Sequence, residues 1–267
     1  MRTSSYITRY TKSHLVVEMI VTEGNRYVAF FDILGFSNLV ETEGSKEVFI
    51  YTRGFLDLMI RSSMPKSVVN PDMSVDLKPS IISYINFSDS IVYYSLDDSY
   101  EAFRTMLKVC ANFINVVICG PTRMIRGALS HGEFYADPEN NAYVGKALID
   151  AYQLEKDQEW LGVSLHSSIE NTANFIRAQK EFSHLIVRSL VPLKGSSNKP
   201  FCLNWIDQDV IIGSFNVLKS LDDCLNIGLK CLNPLKDNPK ETKKETEKLK
   251  KRISNTRKFI EHCQRMQ

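Results

Sequence analysis

The order of strand-like and helix-like segments predicts an α/β fold: an antiparallel ferredoxin-like sheet flanked by helices, with a helical C-terminal extension. Three observations carry this. From residue 26 to residue 135 the apolar periodicity runs strand, helix, strand, strand, helix, strand, which is the split β-α-β order of such sheets. Only Ser88-Asp89-Ser90 separates two of those strands, which suggests a hairpin. The stretch from 236 to 258, KDNPKETKKETEKLKKRISNTRK, places Glu and Lys at helical spacing and reads as a solvated surface or dimer-supporting helix, with a basic patch for an acidic partner as the alternative.

Arg26–Ile33 (RYVAFFDI) is an aromatic-rich apolar run of strand length, ended by Gly35. Ser45 then reads as the cap of a helix with Glu47 in its first turn. Val48, Tyr51, Phe55, Leu58 and Met59 give that helix one apolar face. Residues 62–79 hold three prolines and read as a loop. The runs Ile81–Phe87 and Ile91–Ser95 form the hairpin. Phe103, Met106, Leu107, Cys110, Ile114 and Val117 mark a second amphipathic helix, ended by Gly120-Pro121. Met124–Tyr135 is a long strand. Val144–Lys156 reads as helix, Val163–His166 as strand, Ile169–Gln179 as helix, and Leu185–Leu190 and Phe201–Ile206 as strands. Right-handed crossovers set the first and second strands parallel, with the third antiparallel between them.

The 267 residues, 43% hydrophobic and 24% charged, suffice for one large domain with an appendage and exclude whole-chain disorder. The expected division is 1–25 as an N-terminal extension, 26–206 as the main domain, and 207–267 as a helical extension. Lys+Arg 33 against Asp+Glu 31 gives a net charge of +2, less basic excess than a nucleic-acid binder usually shows. No apolar run approaches the ~18 residues of a membrane span, so neither nucleic acid nor membrane is an expected partner. The six cysteines form neither C-x-x-C nor zinc-spaced pairs, which fits thiols in a reducing cytoplasm. There is no G-x-x-x-x-G-K-[ST] and no G-x-S-x-G.

Topology brings two carboxylates together. Asp32 ends the first strand and Asp89 opens the third, its antiparallel neighbour. Paired carboxylates resist joint ionisation, and a divalent cation such as Mg²⁺ or Mn²⁺ removes that cost. The backbone N–H groups of Ile33-Leu34-Gly35-Phe36-Ser37 offer a cradle for a triphosphate. The bland alternative has Asp32 capping a turn and Asp89 as an ordinary hairpin residue. Against it, Asp32 is the only charge in VAFFDILGF, and a buried charge needs a partner. Lys194 reads as a triphosphate ligand or a solvated loop lysine. Arg126 reads as a polyphosphate ligand or one half of an ion pair. His131 has no metal-spaced partner and reads as structural.

These residues carry a resemblance. FFDILGFS resembles the first metal motif of class III nucleotidyl cyclases, and FSDSIVYYS is similar to the second, where Phe-Gly-Asp opens a hairpin. RGALSHGEFY, YVGKALIDAYQLEK and VPLKGSSNKPF resemble three further segments of that family, in the same order. The resemblance covers roughly residues 26–206. It implies a homodimer with active sites at the subunit interface, two divalent ions (Mn²⁺ or Mg²⁺) held by Asp32, Asp89 and the Ile33 carbonyl, and substrate contacts from Phe36 and Ser37.

The sequence departs from purine cyclases at four positions. Ile149 and Gln153 stand where they carry the transition-state Asn and Arg. Ile85 and Ala142 stand where they read the purine. A compact cyclase lacking purine-reading residues resembles the bacterial pyrimidine cyclases of Pycsar anti-phage defence. That family makes cyclic UMP or cyclic CMP from UTP or CTP, and the product activates a separate effector. It implies a base-side tyrosine, matched by Tyr51 with Arg53 nearby. Tyr51 is alternatively a core aromatic on its helix's apolar face.

Overall fold

The computed structural model describes residues 21–120, 123–188, 193–195, 197–207, 216–232 and 238–266. Most of the expected N-terminal extension therefore lies outside the described residues. So do residues 189 and 190 of one expected strand, and residues 191, 192 and 196 of the late Lys-Gly segment.

The chain is built around β1 (Asn25–Ile33). Tyr27, Ala29, Phe31 and Ile33 belong to the main buried cluster, while Val28 belongs to a second cluster that Phe30 packs against. A strand covered on both faces reads as a continuous apolar run, which is why YVAFFDI lacks polar alternation. The hairpin strands β4 (Ile82–Phe87) and β5 (Ser90–Ser95) lie on one side of β1, and β6 (Ile125–Glu133) on the other. All these pairings are antiparallel, so β6-β1-β5-β4 is the ferredoxin-like order expected from the sequence. Beyond β6 the sheet continues through β9 (Val163–Leu165), β11 (Phe201–Leu203) and β10 (Ile186–Arg188), with β9 parallel to β6.

Helix α4 (Tyr100–Cys119) covers one face of the sheet. Ser99 caps it by accepting from the Ala102 N–H, and Glu101 lies in its first turn. It is long and apolar enough to cross a membrane, contrary to the expectation that no run approaches that length. Its most apolar window is 72% buried within the protein, so in this fold it is a core helix. All six cysteines are buried thiols. Helix α5 (Lys146–Asp157) packs against β1 and β6. Gly145 precedes it because a Cβ there would lie 2.3 Å from the Glu133 carbonyl oxygen.

The structure corrects several elements. The segment after Gly35 is already helical: α1 (Phe36–Glu43) precedes α2 (Ser45–Tyr51), a π-helical turn (Thr52–Leu56) and α3 (Asp57–Ser63). Gly44, not Ser45, occupies the cap position of α2, because its left-handed φ of 94° separates two helices. The 62–79 loop contains a small antiparallel pair, β2 (Val68–Val69) and β3 (Val75–Asp76). Residues after β6 add the β7 (Tyr135–Asp137) and β8 (Ala142–Val144) pair. The helix expected over 169–179 is two: α6 (Ser167–Glu170) and α7 (Ala173–Glu181). Thr172 splits them by capping the second, accepting from the Phe175 N–H.

The largest correction concerns the C-terminal extension. It is helical, as α8 (Val217–Cys231) and α9 (Pro239–Gln264), but α9 is not a solvated helix beside the core. Leu249, Ile253, Phe259, Ile260 and Cys263 join the main buried cluster. Phe259 lies against Trp160 with ring centroids 4.4 Å apart. The Thr256 hydroxyl accepts from the Leu161 N–H at 2.8 Å, and the Asn255 amide donates to the Glu159 carbonyl at 2.9 Å. One face of α9 is therefore core, and its lysines line the other.

Candidate active site

Asp32 sits one residue before the end of β1, with Ser90 of β5 and Arg126 of β6 as its cross-strand neighbours. The two-residue turn Ser88-Asp89 then sets Asp89 beside it. The Ile33 N–H donates to the Asp89 carbonyl at 3.1 Å, which ties the turn to the strand end. Ser88 takes φ 58°, a left-handed conformation natural to glycine. Sheet register thus sets Asp89 beside the end of β1, within range for its charge to act on the Asp32 carboxyl.

Their environment is crowded with acid. Burial, then the nearby Glu155 and Asp89 charges, push the Asp32 carboxyl up to about 7, against the pull of Arg126 and Arg252. Glu155 is a third acidic group at this corner. It is fully buried on α5, its carboxyl pushed up by burial in spite of its contact with Arg126.

Immediately after Asp32 the chain turns through Gly35, whose φ of 78° only glycine adopts without strain, into α1. Among the described residues no side chain caps α1. Its first-turn N–H groups have no partner within the helix, and they carry the positive end of the helix dipole. The expected five-residue backbone cradle is narrower than the sequence suggests. The Ile33 and Leu34 N–H groups are already committed to the Asp89 and Met124 carbonyls. What remains is the turn at Gly35, Phe36 and Ser37. Phe36 packs partly against the core, while Ser37 is exposed.

The other expected site residues divide. Arg126 is buried, ion-paired with Glu155, and donates to the Gln158 carbonyl at 2.9 Å. Its guanidinium is thus engaged within the protein, beside Asp32. Lys194 is exposed; its ammonium donates to the Lys156 carbonyl and its N–H to that of Asp157. Burial and the Arg126 and Arg252 charges hold its ammonium below the usual lysine range. Tyr51 is buried, and the Arg123 guanidinium lies 4.9 Å from the centre of its ring. It takes the core-aromatic position that the helix periodicity allowed. Arg53 lies exposed on the π-helical turn. His131 is packed against Tyr27, ring centroids 4.6 Å apart, and burial lowers its pKa; its Nε2 is buried with no hydrogen-bond partner among the described residues, so it is not the satisfied structural histidine expected.

Among the described residues no group of three or more His, Cys, Asp or Glu gathers to hold a metal unaided. Asp32 and Asp89, with the Ile33 carbonyl, nevertheless fit a hard divalent cation. The donors are all oxygen, the acids crowd one another, and such ions usually complete their shell with water and substrate phosphate.

The sequence reading missed Glu155, Arg123 and Arg252. Glu155 and Arg126 are 29 residues apart, and nothing local marks them as partners. For Arg252 a signal existed: it directly precedes Ile253, in a stripe of Leu249, Ile253, Thr256, Ile260 and Cys263 at helical spacing.

No family model matches the chain, and no curated protein matches it. Among solved structures it is similar to the catalytic core of a rhodopsin-guanylyl cyclase with converted specificity, in complex with ATPαS. The match has 14% identity and a TM-score of 0.45, and covers 68% of this chain and 95% of that one.

Proposed function

We propose that this chain is a pyrimidine nucleotide cyclase that converts UTP to 3′,5′-cyclic UMP and pyrophosphate. We further propose that it works as a cytoplasmic homodimer in anti-phage defence, through a separate effector. The observation that carries the reading is the convergence of Asp32 and Asp89 at the uncapped start of α1. Five sequence segments resembling class III nucleotidyl cyclases, in order, support it.

The reaction is an intramolecular displacement: the ribose 3′-oxygen attacks the α-phosphorus and pyrophosphate leaves. Asp32, Asp89 and the Ile33 carbonyl would hold Mn²⁺ or Mg²⁺. When bound, those ions lower the pKa of the 3′-hydroxyl and neutralise charge on the leaving group. The protein's own part is positioning and electrostatics. The first-turn N–H groups of α1 orient phosphate oxygens along the helix dipole. Lys194 and Arg126 face the polyphosphate with positive charge. Arg126 must loosen its grip on Glu155 to reach substrate, so the buried pair holds it in reserve.

The pyrimidine choice rests on what is missing. Ile85 and Ala142 present no polar side chain at the positions matching purine readers. The homodimer is supported by exposed apolar side chains near the site: Phe87, 85% exposed beside Asp89, and Ile149 on α5. A partner surface would cover both.

Incubation with each of the four ribonucleoside triphosphates and Mn²⁺, followed by product identification, tests the reading. Cyclic UMP as the main product is expected. Cyclic CMP would move the specificity to CTP, and cyclic AMP or cyclic GMP would overturn the pyrimidine choice. No product from any of the four would make the chain an inactive nucleotide-sensing module, a reading motivated by Ile149 and Gln153.

A further inference from the structure

The tail helix α9 reaches the candidate site, and the way it is docked gives that contact a purpose. The segment from Glu155 to Leu161, which leaves the end of α5, anchors three distant parts of the chain. Glu155 and the Gln158 carbonyl hold Arg126 of β6. The Lys156 and Asp157 carbonyls hold Lys194, and Gln158 forms a β-bridge with Leu193. Glu159 and Leu161 hold α9 through Asn255, Thr256 and the Lys251–Glu159 ion pair. One strap therefore gathers Arg126, Lys194 and the α9 turn that carries Arg252.

Arg252 is half-buried, and among the described residues no carboxylate lies within ion-pairing distance of it. The nearest acids on its surroundings are taken: Glu159 pairs with Lys251, Glu245 with Lys248, and Glu155 with Arg126. Its side chain lines a cleft of about 100 Å³ shared with Gly35 and Asn38 at the start of α1, with Arg123 and Met124, and with Glu245 and Leu249 of its own helix. Burial, then repulsion from Arg126, holds its guanidinium below the usual arginine range, and its charge reaches Asp32. Arg126, Arg252 and Lys194 lie within range of one another's charge, and among the described residues Glu155 is the one carboxylate ion-paired with any of them, which leaves Arg252 suited to an anion in the cleft.

We infer that Arg252 is a phosphate-binding residue supplied by the C-terminal helix, and that with Arg126 and Lys194 it holds the β- and γ-phosphates of a nucleoside triphosphate. This rests on the cyclase reading for the identity of the substrate, but not for the existence of the anion site. Arg252 then ties the tail to the reaction: α9 is docked into the core so that its arginine can reach the cleft beside α1.

The test uses full-length protein and inorganic tripolyphosphate with Mn²⁺ as the probe, read by calorimetry, with the UTP kinetics alongside. Wild type binds the probe. Arg252→Gln, which keeps the stem but not the charge, weakens binding about tenfold, and Arg252→Lys restores part of it. Lys250→Ala, an exposed charge on the same helix, binds as wild type does. With UTP, Arg252→Gln raises KM more than it lowers kcat. Wild type failing to bind tripolyphosphate overturns the inference, and so does Arg252→Gln binding as tightly as wild type, whether or not the chain cyclises UTP. Weakened probe binding in a protein that yields no cyclic product sustains the anion site and overturns the cyclase reading alone.

Discussion

Two charged corners flank the end of β1, and they are assembled by opposite routes. Asp32 and Asp89 meet because two adjacent strands meet: a hairpin turn and one register place them, within a contiguous sheet. Arg126, Lys194 and Arg252 come within range of one another's charge because β6, a late loop and the tail helix all dock on the 155–161 strap. The first corner is cheap in chain but costly in charge, with burial and neighbouring acids holding Asp32 near neutrality. The second needs most of the fold to be complete before it exists. Acid crowding at one corner and cation crowding at the other, with Glu155 between them, suits a metal–polyphosphate complex lying across both.

The sharpest way to break this contrast is to undock the tail. Phe259 is 2% exposed against Trp160. Phe259→Ala is expected to cost about 3–5 kcal/mol in denaturant unfolding, the usual range for truncating a core phenylalanine. A change within about 0.5 kcal/mol, the usual size for a surface position, would make α9 the solvated appendage its lysines suggest.

The carboxylate corner is probed by pH. The folded-state pKa of Asp32 lies above its ordinary value. Its favourable contribution is therefore present below about pH 4 and is lost as pH rises through about 7. Asp32→Asn removes that loss. In metal-free protein it is expected to stabilise the fold by about 2–3 kcal/mol at pH 8, allowing for partial exposure, and by much less at pH 4. Thermal melts across that range check it; an equal effect at both pH values would mean that the carboxylate is not under charge stress. Added Mn²⁺ should reverse the order at pH 8, stabilising wild type and not the variant.

A smaller effect concerns the turn that sets the register. Ser88→Gly relieves a left-handed serine and should stabilise by about 1 kcal/mol, read in the same melts. A loss of stability there would mean that the serine holds the turn by some other contact.

What could be read from the chain follows the same division. The β6-β1-β5-β4 order and the Asp32–Asp89 meeting were legible because strand periodicity, one short turn and the handedness of crossovers determine them. Helix α1 was hidden because Gly35 and Gly44 bracket FSNLVETE, and such punctuation reads as loop. Arg126 suited two roles by residue type, and only the fold reveals Glu155 beside it. The docking of α9 was masked by its lysines, although the stripe through Leu249, Ile253 and Ile260 was present. Contacts between neighbouring elements leave local traces; contacts between distant ones leave only a buried face with no stated partner.

The central claim, that Asp32 and Asp89 form the catalytic metal corner of a cyclase, is tested most directly by one comparison. Wild type, Asp32→Ala and Asp89→Ala are incubated with UTP and Mn²⁺, cyclic UMP is quantified, and folding is verified by melting each protein. The account predicts cyclic UMP from wild type and at least about a 10³-fold loss in both folded variants, the scale expected when a principal charge-stabilising group is removed. Near-normal cyclic UMP production by either variant would contradict it.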